Sequence, residues 1–359
     1  MIKIFLFSFI GAVIFTWVAI KIAVRLDIMD HPDERKMHVK PVPLLGGVAI
    51  FAACMLSILL NFHFSIALKA VVVASFFILL SGLIDDIRGL SSLIRLIVQI
   101  ICSVVIIFFG VRLNIIPDQF PFAVLIESVI TVLWIVGITN AFNLMDGIDG
   151  LAAGLMVIAS GTFFIVAYQT NQPYFAFLSL ALAGSSLGFL VFNFNPARIF
   201  LGDAGSNFLG FMIASLAVMG EWAERKPIVA LSIPLLVLAL PIFDTVYVML
   251  SRMTQGKVKT FRECMDYVGK DHFHHRLMGL GFSQRQTVMF IYLICIVFSL
   301  GALTLQRAAT RGQAILLLFQ ACFILILVTV LMLVSKDKID KSRSYDNMRK
   351  GMIDFREAS

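Results

Sequence analysis

The stretch "VLIESVITVLWIVGITNAFNLMDGIDGL" (124–151) decides the fold class. Its first half, Val124–Ile138, is apolar apart from Glu127 and two hydroxyl side chains. Its second half sets Asn140, Asn143, Asp146 and Asp149 three residues apart. Roughly 20 apolar residues cross a bilayer core, so the first half reads as a membrane span. A spacing of three turns each successive side chain about 300° round an α-helix, and the four polar positions drift along one side. Each aspartate precedes a glycine, a pair that favours turns and close backbone approach. One Asp-Gly would end a helix; two in tandem after two asparagines exceed that need.

The rest of the chain repeats the first half of this pattern. Of its 359 residues 60% are hydrophobic and 14% charged, with a mean hydropathy of +0.95. A soluble domain carries about 25% charged residues. Apolar runs fall at 3–24, 44–64, 66–84, 93–111, 122–140, 150–169, 174–193, 206–220, 227–251, 285–306 and 313–334. The expectation is an all-α polytopic membrane protein of about 11 transmembrane helices. Residues 1–334 form one integral-membrane catalytic domain, and 335–359 a charged tail. The first run follows Lys3 without an A-x-A cleavage signal and is too long for a signal peptide, so it is expected to be retained. The five cysteines are scattered and form no C-x-x-C pair, which argues against a disulfide framework or a zinc site.

Charge gives the orientation. Lys21, Arg25, Arg35, Lys36, Lys40, Arg88, Arg95, Arg198, the segment 252–285 and the tail together hold 22 of the 29 Lys and Arg. By the positive-inside bias that side is cytoplasmic, with the N-terminus outside and the C-terminus inside. The formal charge of +7 suits contact with anionic lipid or anionic substrates. No nucleic-acid-binding motif accompanies it, and no nucleic-acid partner is expected.

All the chemically rich stretches fall on that same side. They are "HPDERKMHVKPVPLLGG" (31–47), "GLIDDIRGL" (82–90), "NAFNLMDGIDGL" (140–151), "NFNPARIFLGDAGS" (193–206) and "GKDHFHHRLMGLG" (269–281). Topology alone therefore points to a site at the cytoplasmic membrane surface. Asp85, Asp86, Asp146, Asp149 and Asp203 are carboxylates near membrane depth, where an ionised group without a partner is costly. A divalent cation answers that cost, and Mg²⁺ (or Mn²⁺) takes one or two carboxylates plus substrate phosphates. Arg35, Lys36, His38, Arg88, His272, His274, His275 and Arg276 supply donors suited to phosphate oxygens. The combination reads as phosphoryl transfer between a soluble nucleotide and a lipid.

Each motif also has a plainer reading. Asp85 and Asp86 could be solvated acids ending a helix; as neighbours they repel, so one is suited to act as a base and the other as a ligand. "FLGDAGS" lacks the lysine of a phosphate-binding P-loop, and Asp203 and Ser206 could simply cap a helix. Its glycines would nonetheless let backbone N–H groups approach an anion. The histidine spacing in "DHFHHRL" does not suit zinc; a solvated loop or a diphosphate clamp of His274 and His275, supported by His272 and Arg276, remains. Glu127 is expected near the outer interface. Asp244, two turns from Arg252, is expected either to make a structural hydrogen bond or to serve the site. Gly150, Gly154, Gly184 and Gly188 are expected to allow close helix packing.

Together, in order and spacing, "DHPDERKMHVKPVPLLGG", "GLIDDIRGL", "NAFNLMDGIDGL", "FNPARIFLGDAGS" and "DHFHHRL" resemble the polyprenyl-phosphate N-acetylhexosamine-1-phosphate transferases from about Asp30 to Gln286. The H-x-H-H form and the number of spans resemble the WecA/TagO branch rather than the MraY branch. The resemblance implies that undecaprenyl phosphate attacks the β-phosphorus of a UDP-N-acetylhexosamine, most simply UDP-GlcNAc, at a bacterial plasma membrane. It implies Asp203 as Mg²⁺ ligand, Asp85 and Asp86 at the lipid phosphate, and Asn143, Asp146 and Asp149 in the nucleotide site. Asn193 and Phe200 would lie near the uridine, and His274 and His275 at the diphosphate; a homodimer is also suggested. The MraY branch has a lysine four positions after the first aspartate of its D-D pair, where this chain has Gly89. Any such role falls to Arg88 or Arg95, or is absent. Direct attack is favoured over a phospho-aspartate intermediate, because an ionised phosphate needs little activation. The competing readings are an MraY-like phospho-MurNAc-pentapeptide transferase and an ion-coupled transporter. The latter fits poorly with carboxylates at one face and no internal repeat.

Overall fold

Helices dominate because almost every element is an uninterrupted apolar run, and backbone polar groups in lipid must bond within their own segment. The computed structural model of the chain describes residues 1–32, 40–59, 65–117, 119–222, 227–260, 263, 267, 269–307 and 311–357. Among them are the helices α1 (Ile2–Leu26), α2 (Gly46–Leu59), α3 (Ile66–Arg88), α4 (Ser92–Phe108), α5 (Ala123–Met145), α6 (Leu151–Gln169) and α7 (Pro173–Asn193). There follow α8 (Gly202–Met219), α9 (Pro227–Val237), α10 (Ala239–Thr254), α11 (Phe273–Gly279), α12 (Gln284–Gln306) and α13 (Arg311–Glu357). Each expected apolar run coincides with one of these helices or with a pair of them. Seven are long and apolar enough to cross a bilayer: α1, α3, α5, α6, α7, α12 and the Gly312–Lys336 part of α13. The chain is a multi-pass membrane protein.

The run 227–251, expected as one span, is two helices. α9 and α10 are bent by 74° at Leu238. Pro234 lies inside α9 and Pro241 in the first turn of α10, and each removes a backbone donor where a continuous helix needs one. α2 and α4 are apolar but short, at 14 and 17 residues. The expected tail continues α13 without a break to Glu357.

α8 is the central helix. Every residue in it except Asp203 and Met219 is buried, as expected of a helix that is apolar all round. It is packed mainly by α3 and α5, with α2 and α6 completing its surroundings. Small residues make this closeness possible. A Cβ on Gly82 would lie 2.5 Å from Ala204 Cα and from the Asp203 carbonyl. One on Gly47 would strike the Gly205 backbone. Gly184 and Gly188 play the expected part on the α7–α1 contact, against Phe5, Ser8 and Phe9. Gly154 instead faces the ring of Tyr292 on α12, whose hydroxyl donates to the Gly150 carbonyl.

One antiparallel ladder, β1 (Met29–Asp30) with β2 (Val42–Pro43), closes the first loop with Met29 opposite Pro43. The loop is then tied to the α7–α8 connection. Phe200 N–H donates to the Pro43 carbonyl (2.8 Å), Gly46 N–H to Phe200 (3.1 Å) and Gly47 N–H to Leu201 (2.9 Å). At the opposite end of the bundle, Glu127 is turned into the protein. It is buried, accepts from Ile115 and Ile116 N–H (2.8 and 2.9 Å), and pairs with Arg112 (3.2 Å).

Candidate active site

The ends of α3, α5, α7 and α10 and the starts of α2, α6, α8 and α12 meet at one end of the bundle, and all five polar loops line a single cleft there. Its volume is about 940 Å³. Asp86, Asn143, Asp146, Asp149, Asn193, Phe200, Asp203 and His275 line it, as do Asp30, Lys40, Asn195, Lys270 and Gln284, which sequence reasoning did not single out. Arg35, Lys36 and His38 lie outside the described residues.

The start of α8 is the hub. Its first backbone donors, Asp203 N–H and Ala204 N–H, go to the Asp86 carboxylate at 2.7 and 3.1 Å. The anion expected at this helix N-terminus is thus supplied by the protein, from α3, and Asp203 is not itself the cap. Free of that task, the Asp203 side chain accepts from Asn143 Nδ2 and faces Arg95 at 3.2 Å. The same Asn143 nitrogen donates to Ser206 Oγ (2.9 Å), fixing the α5 end against α8.

Asp85 sits behind this hub rather than in the cleft. It accepts from Leu90 N–H and pairs with Arg95 at 2.7 Å. Arg95 therefore bridges Asp85 and Asp203, while Arg88 is exposed. Of the two candidates for the cation missing at Gly89, Arg95 is the one in place. Its only sequence signal is a lone basic residue in the first turn of an apolar helix.

Asp146 is the least satisfied carboxylate. It caps the α5 C-terminus, lines the cleft, and has no hydrogen-bond or ion-pair partner among the described residues. Burial, then the charges of Asp203, Asp86 and Asp149, push its carboxyl well above the usual range. Such a convergence of acids is what a divalent cation relieves. No three potential ligands are already arranged as a complete set among the described residues. Mg²⁺ uses one or two carboxylates and completes its shell with water and phosphate oxygens. Asp146 and Asp203 fit that part.

Asp149 and Asn193 organise the wall opposite. Asp149 Oδ2 accepts from Asn195 Nδ2 (2.9 Å) and Ala197 N–H (3.0 Å), and Asn195 also donates to Gln284 Oε1 (2.6 Å). Asn193 accepts from Gly150 N–H (3.0 Å) and donates to the Ile199 carbonyl (2.9 Å). Amide and carboxylate thus hold the two loops together while presenting an edge to the cleft. Asn140, the first of the four polar positions, points away. It donates to Gln99 (2.7 Å), which donates to Asn207 (3.0 Å), which donates to the Asp203 carbonyl (2.8 Å). This relay supports α8 from behind, and Gln99, mid-run on α4, was not visible as a functional position.

The histidines divide. His275 lines the cleft, and burial above all depresses it to about 4. His274 is buried beside it, its ring packed on Gly147 and both nitrogens without a hydrogen-bond partner among the described residues. His272 and Arg276 do not line the cleft. His272 is 5% exposed and bonded to Asp244, and Arg276 Nε reaches the Asp271 carbonyl (3.4 Å). Asp244 thus pairs with His272, while Arg252 pairs with Asp271.

Residues 68–221 match glycosyl transferase family 4. The chain is 35% identical over 341 residues to a probable undecaprenyl-phosphate N-acetylglucosaminyl 1-phosphate transferase of Bacillus subtilis (strain 168), covering 92% of each chain. It is 31% identical to a decaprenyl-phosphate N-acetylglucosaminephosphotransferase of Mycolicibacterium smegmatis, covering 89% of this chain and 85% of the relative. It is 27% identical to an undecaprenyl-phosphate alpha-N-acetylglucosaminyl 1-phosphate transferase of Yersinia pestis, covering 90% and 89%. With relatives above 30% identity matched along most of both chains, the chain belongs to glycosyl transferase family 4, in its WecA/TagO-like branch.

Proposed function

We propose that the protein transfers N-acetylglucosamine 1-phosphate from UDP-GlcNAc to undecaprenyl phosphate, giving undecaprenyl-diphosphate-GlcNAc and UMP. The observation that carries this reading is the single cleft in which Asp146 and Asp203 face Lys40, Lys270 and His275 beside the bundle wall. A nucleoside diphosphate sugar with a divalent cation matches both signs of charge, and about 940 Å³ is room for it. The named activities of the relatives agree. The same positive-inside reading makes the cleft cytoplasmic in a bacterial plasma membrane, with eleven spans counting α2, α4, α8 and the bent α9–α10 pair.

In this reading Asp146 and Asp203 hold Mg²⁺. When bound, the ion neutralises charge building on the diphosphate. Arg95, held by Asp85, orients the lipid phosphate, one of whose oxygens attacks the β-phosphorus. The bond from β-phosphorus to the bridging oxygen breaks, and UMP leaves with that oxygen. Asp86 is held by two N–H donors and Asp85 by Leu90 and Arg95, so neither is a free nucleophile, which supports direct attack. His275 and Lys270 donate to the diphosphate, and Asp149, Asn193 and Phe200 flank the nucleoside.

Purified protein with Mg²⁺ and undecaprenyl phosphate, offered a panel of UDP-sugars, is expected to release UMP with UDP-GlcNAc and to stop on chelation. Turnover of UDP-MurNAc-pentapeptide in place of UDP-GlcNAc would overturn the donor assignment.

A further inference from the structure

Asp244, on α10, is fully buried, and both its oxygens are engaged by the segment that leads into α11. His272 Nδ1 lies 2.7 Å from Oδ2, and Phe273 N–H donates to Oδ1 at 2.7 Å. Two turns further along α10, buried Arg252 donates through Nε and Nη2 to the Asp271 carboxylate (2.8 and 2.6 Å) and through Nη1 to the Tyr267 carbonyl (3.2 Å). Its guanidinium lies 4.7 Å from the Tyr267 ring centroid. Nη2 also stands 3.4 Å from His272 Nε2. A guanidinium has no lone pair to offer, so Nε2 is the accepting nitrogen and the ring proton sits on Nδ1, aimed at Asp244.

None of Asp244, Arg252, Asp271 and His272 lines the cleft. What they hold is the start of α11: His272 is its N-cap and Phe273 its first residue, and His274 and His275 follow at once. Gly269, Lys270 and His275, on either side of the held residues, do line the cleft. Apolar packing could dock a seven-residue helix as firmly, since replacing buried ion pairs by hydrophobic side chains is often neutral or stabilising. Directional bonds instead fix where the helix points.

We propose that Asp244 is a positioning residue for the transfer reaction: through the Nδ1 proton of His272 and the Phe273 amide it sets the pose in which α11 presents His275 to the cleft, with Arg252–Asp271 as the second strap. This rests on the reading that His275 meets the donor diphosphate.

The test compares His272→Asn, His272→Gln and Asp244→Asn in the full chain in lipid nanodiscs, with Mg²⁺, undecaprenyl phosphate and UDP-GlcNAc. An asparagine places an N–H where Nδ1–H stood; a glutamine reaches the position of Nε2. Asp244→Asn and His272→Gln are expected to lower kcat about 10–100-fold, as loss of supporting hydrogen bonds commonly does. KM for the donor should stay within about threefold, because only the His275 contact is shifted and the rest of the cleft stays in place. His272→Asn should keep clearly more kcat than His272→Gln. The reverse order overturns the proposal, because the Nε2 edge would then be the working one. So does an unimpaired Asp244→Asn enzyme, or a His275→Ala enzyme with wild-type kcat beside an impaired Asp244→Asn. Should the variants fail to fold, nitrogen NMR of histidine-labelled wild-type protein decides. One imidazole must show the Nδ1-protonated tautomer, and its absence overturns the assignment. Failure of the donor reading is distinct: the wild type would release no UMP, while the NMR signature would stand.

Discussion

Gly82→Ala tests whether the α3–α8 contact sets the geometry of the site. The added Cβ would sit 2.5 Å from Ala204 Cα and the Asp203 carbonyl oxygen, and 2.6 Å from Ala204 N, where ordinary contact begins at 3.4 Å. All three are backbone atoms, so no side chain can swing aside and α8 must retreat by about 1 Å, the difference between those distances. The Asp86 bonds to Asp203 and Ala204 N–H, at 2.7 and 3.1 Å, would open beyond hydrogen-bond length. Overpacking of this kind costs about 1–3 kcal/mol of stability. A misplacement of about 1 Å at a reacting centre costs on the order of 100-fold in rate, or roughly 2.7 kcal/mol. The assay is UMP release by purified protein beside its melting temperature in the same detergent. Gly161→Ala on α6 is the control: its Cβ would meet nothing within 4 Å, and both readouts should match or slightly exceed wild type. A Gly82→Ala enzyme with wild-type kcat would refute the reasoning, since the contact would then be slack.

Asp203→Asn should abolish Mg²⁺-dependent UMP release while leaving the melting temperature close to wild type; retained turnover would remove Asp203 from the metal site. Gln99→Leu takes the partner from buried Asn207 Oδ1 and should cost about 2 kcal/mol, read as a lower melting temperature. His275 gives a pH dependence. The unfolded chain binds its proton near the ordinary ~6.5, the folded protein only near 4, so stability is flat above neutrality and falls as pH drops from 6.5 towards 4. After allowance for solvent screening the loss is roughly 2 kcal/mol, and His275→Gln should flatten the melting temperature between pH 7.5 and 5 relative to wild type. Glu127→Gln should weaken the Arg112 pairing and the 111–117 connection without changing kcat, because it lies at the end of the bundle away from the cleft; a loss of kcat at full folding would contradict that placement.

The sequence by itself determined the helices and the chemistry of the loops. A bilayer demands long apolar segments, so each run from Ile2 to the start of the tail announces its helix through composition alone. Carboxylates, asparagines and histidines stand out against that background, and Asp86, Asn143, Asp146, Asp149, Asn193, Phe200, Asp203 and His275 all reach the cleft. Hydropathy is a local property, and it is silent about which polar groups meet. Asp86 and the α8 N-terminus are 117 residues apart in the chain, Asn140 and Gln99 are 41 apart, and Asp244 and His272 are 28 apart. Only helix packing decides that Asp86 caps α8 and leaves the Asp203 side chain to Asn143 and Arg95, that Arg95 rather than Arg88 stands between Asp85 and Asp203, and that His272 turns from the cleft to Asp244. The break at Leu238 was hidden for a related reason: an apolar count over 227–251 is indifferent to direction, while Pro234 and Pro241 act on backbone bonds that hydropathy does not register.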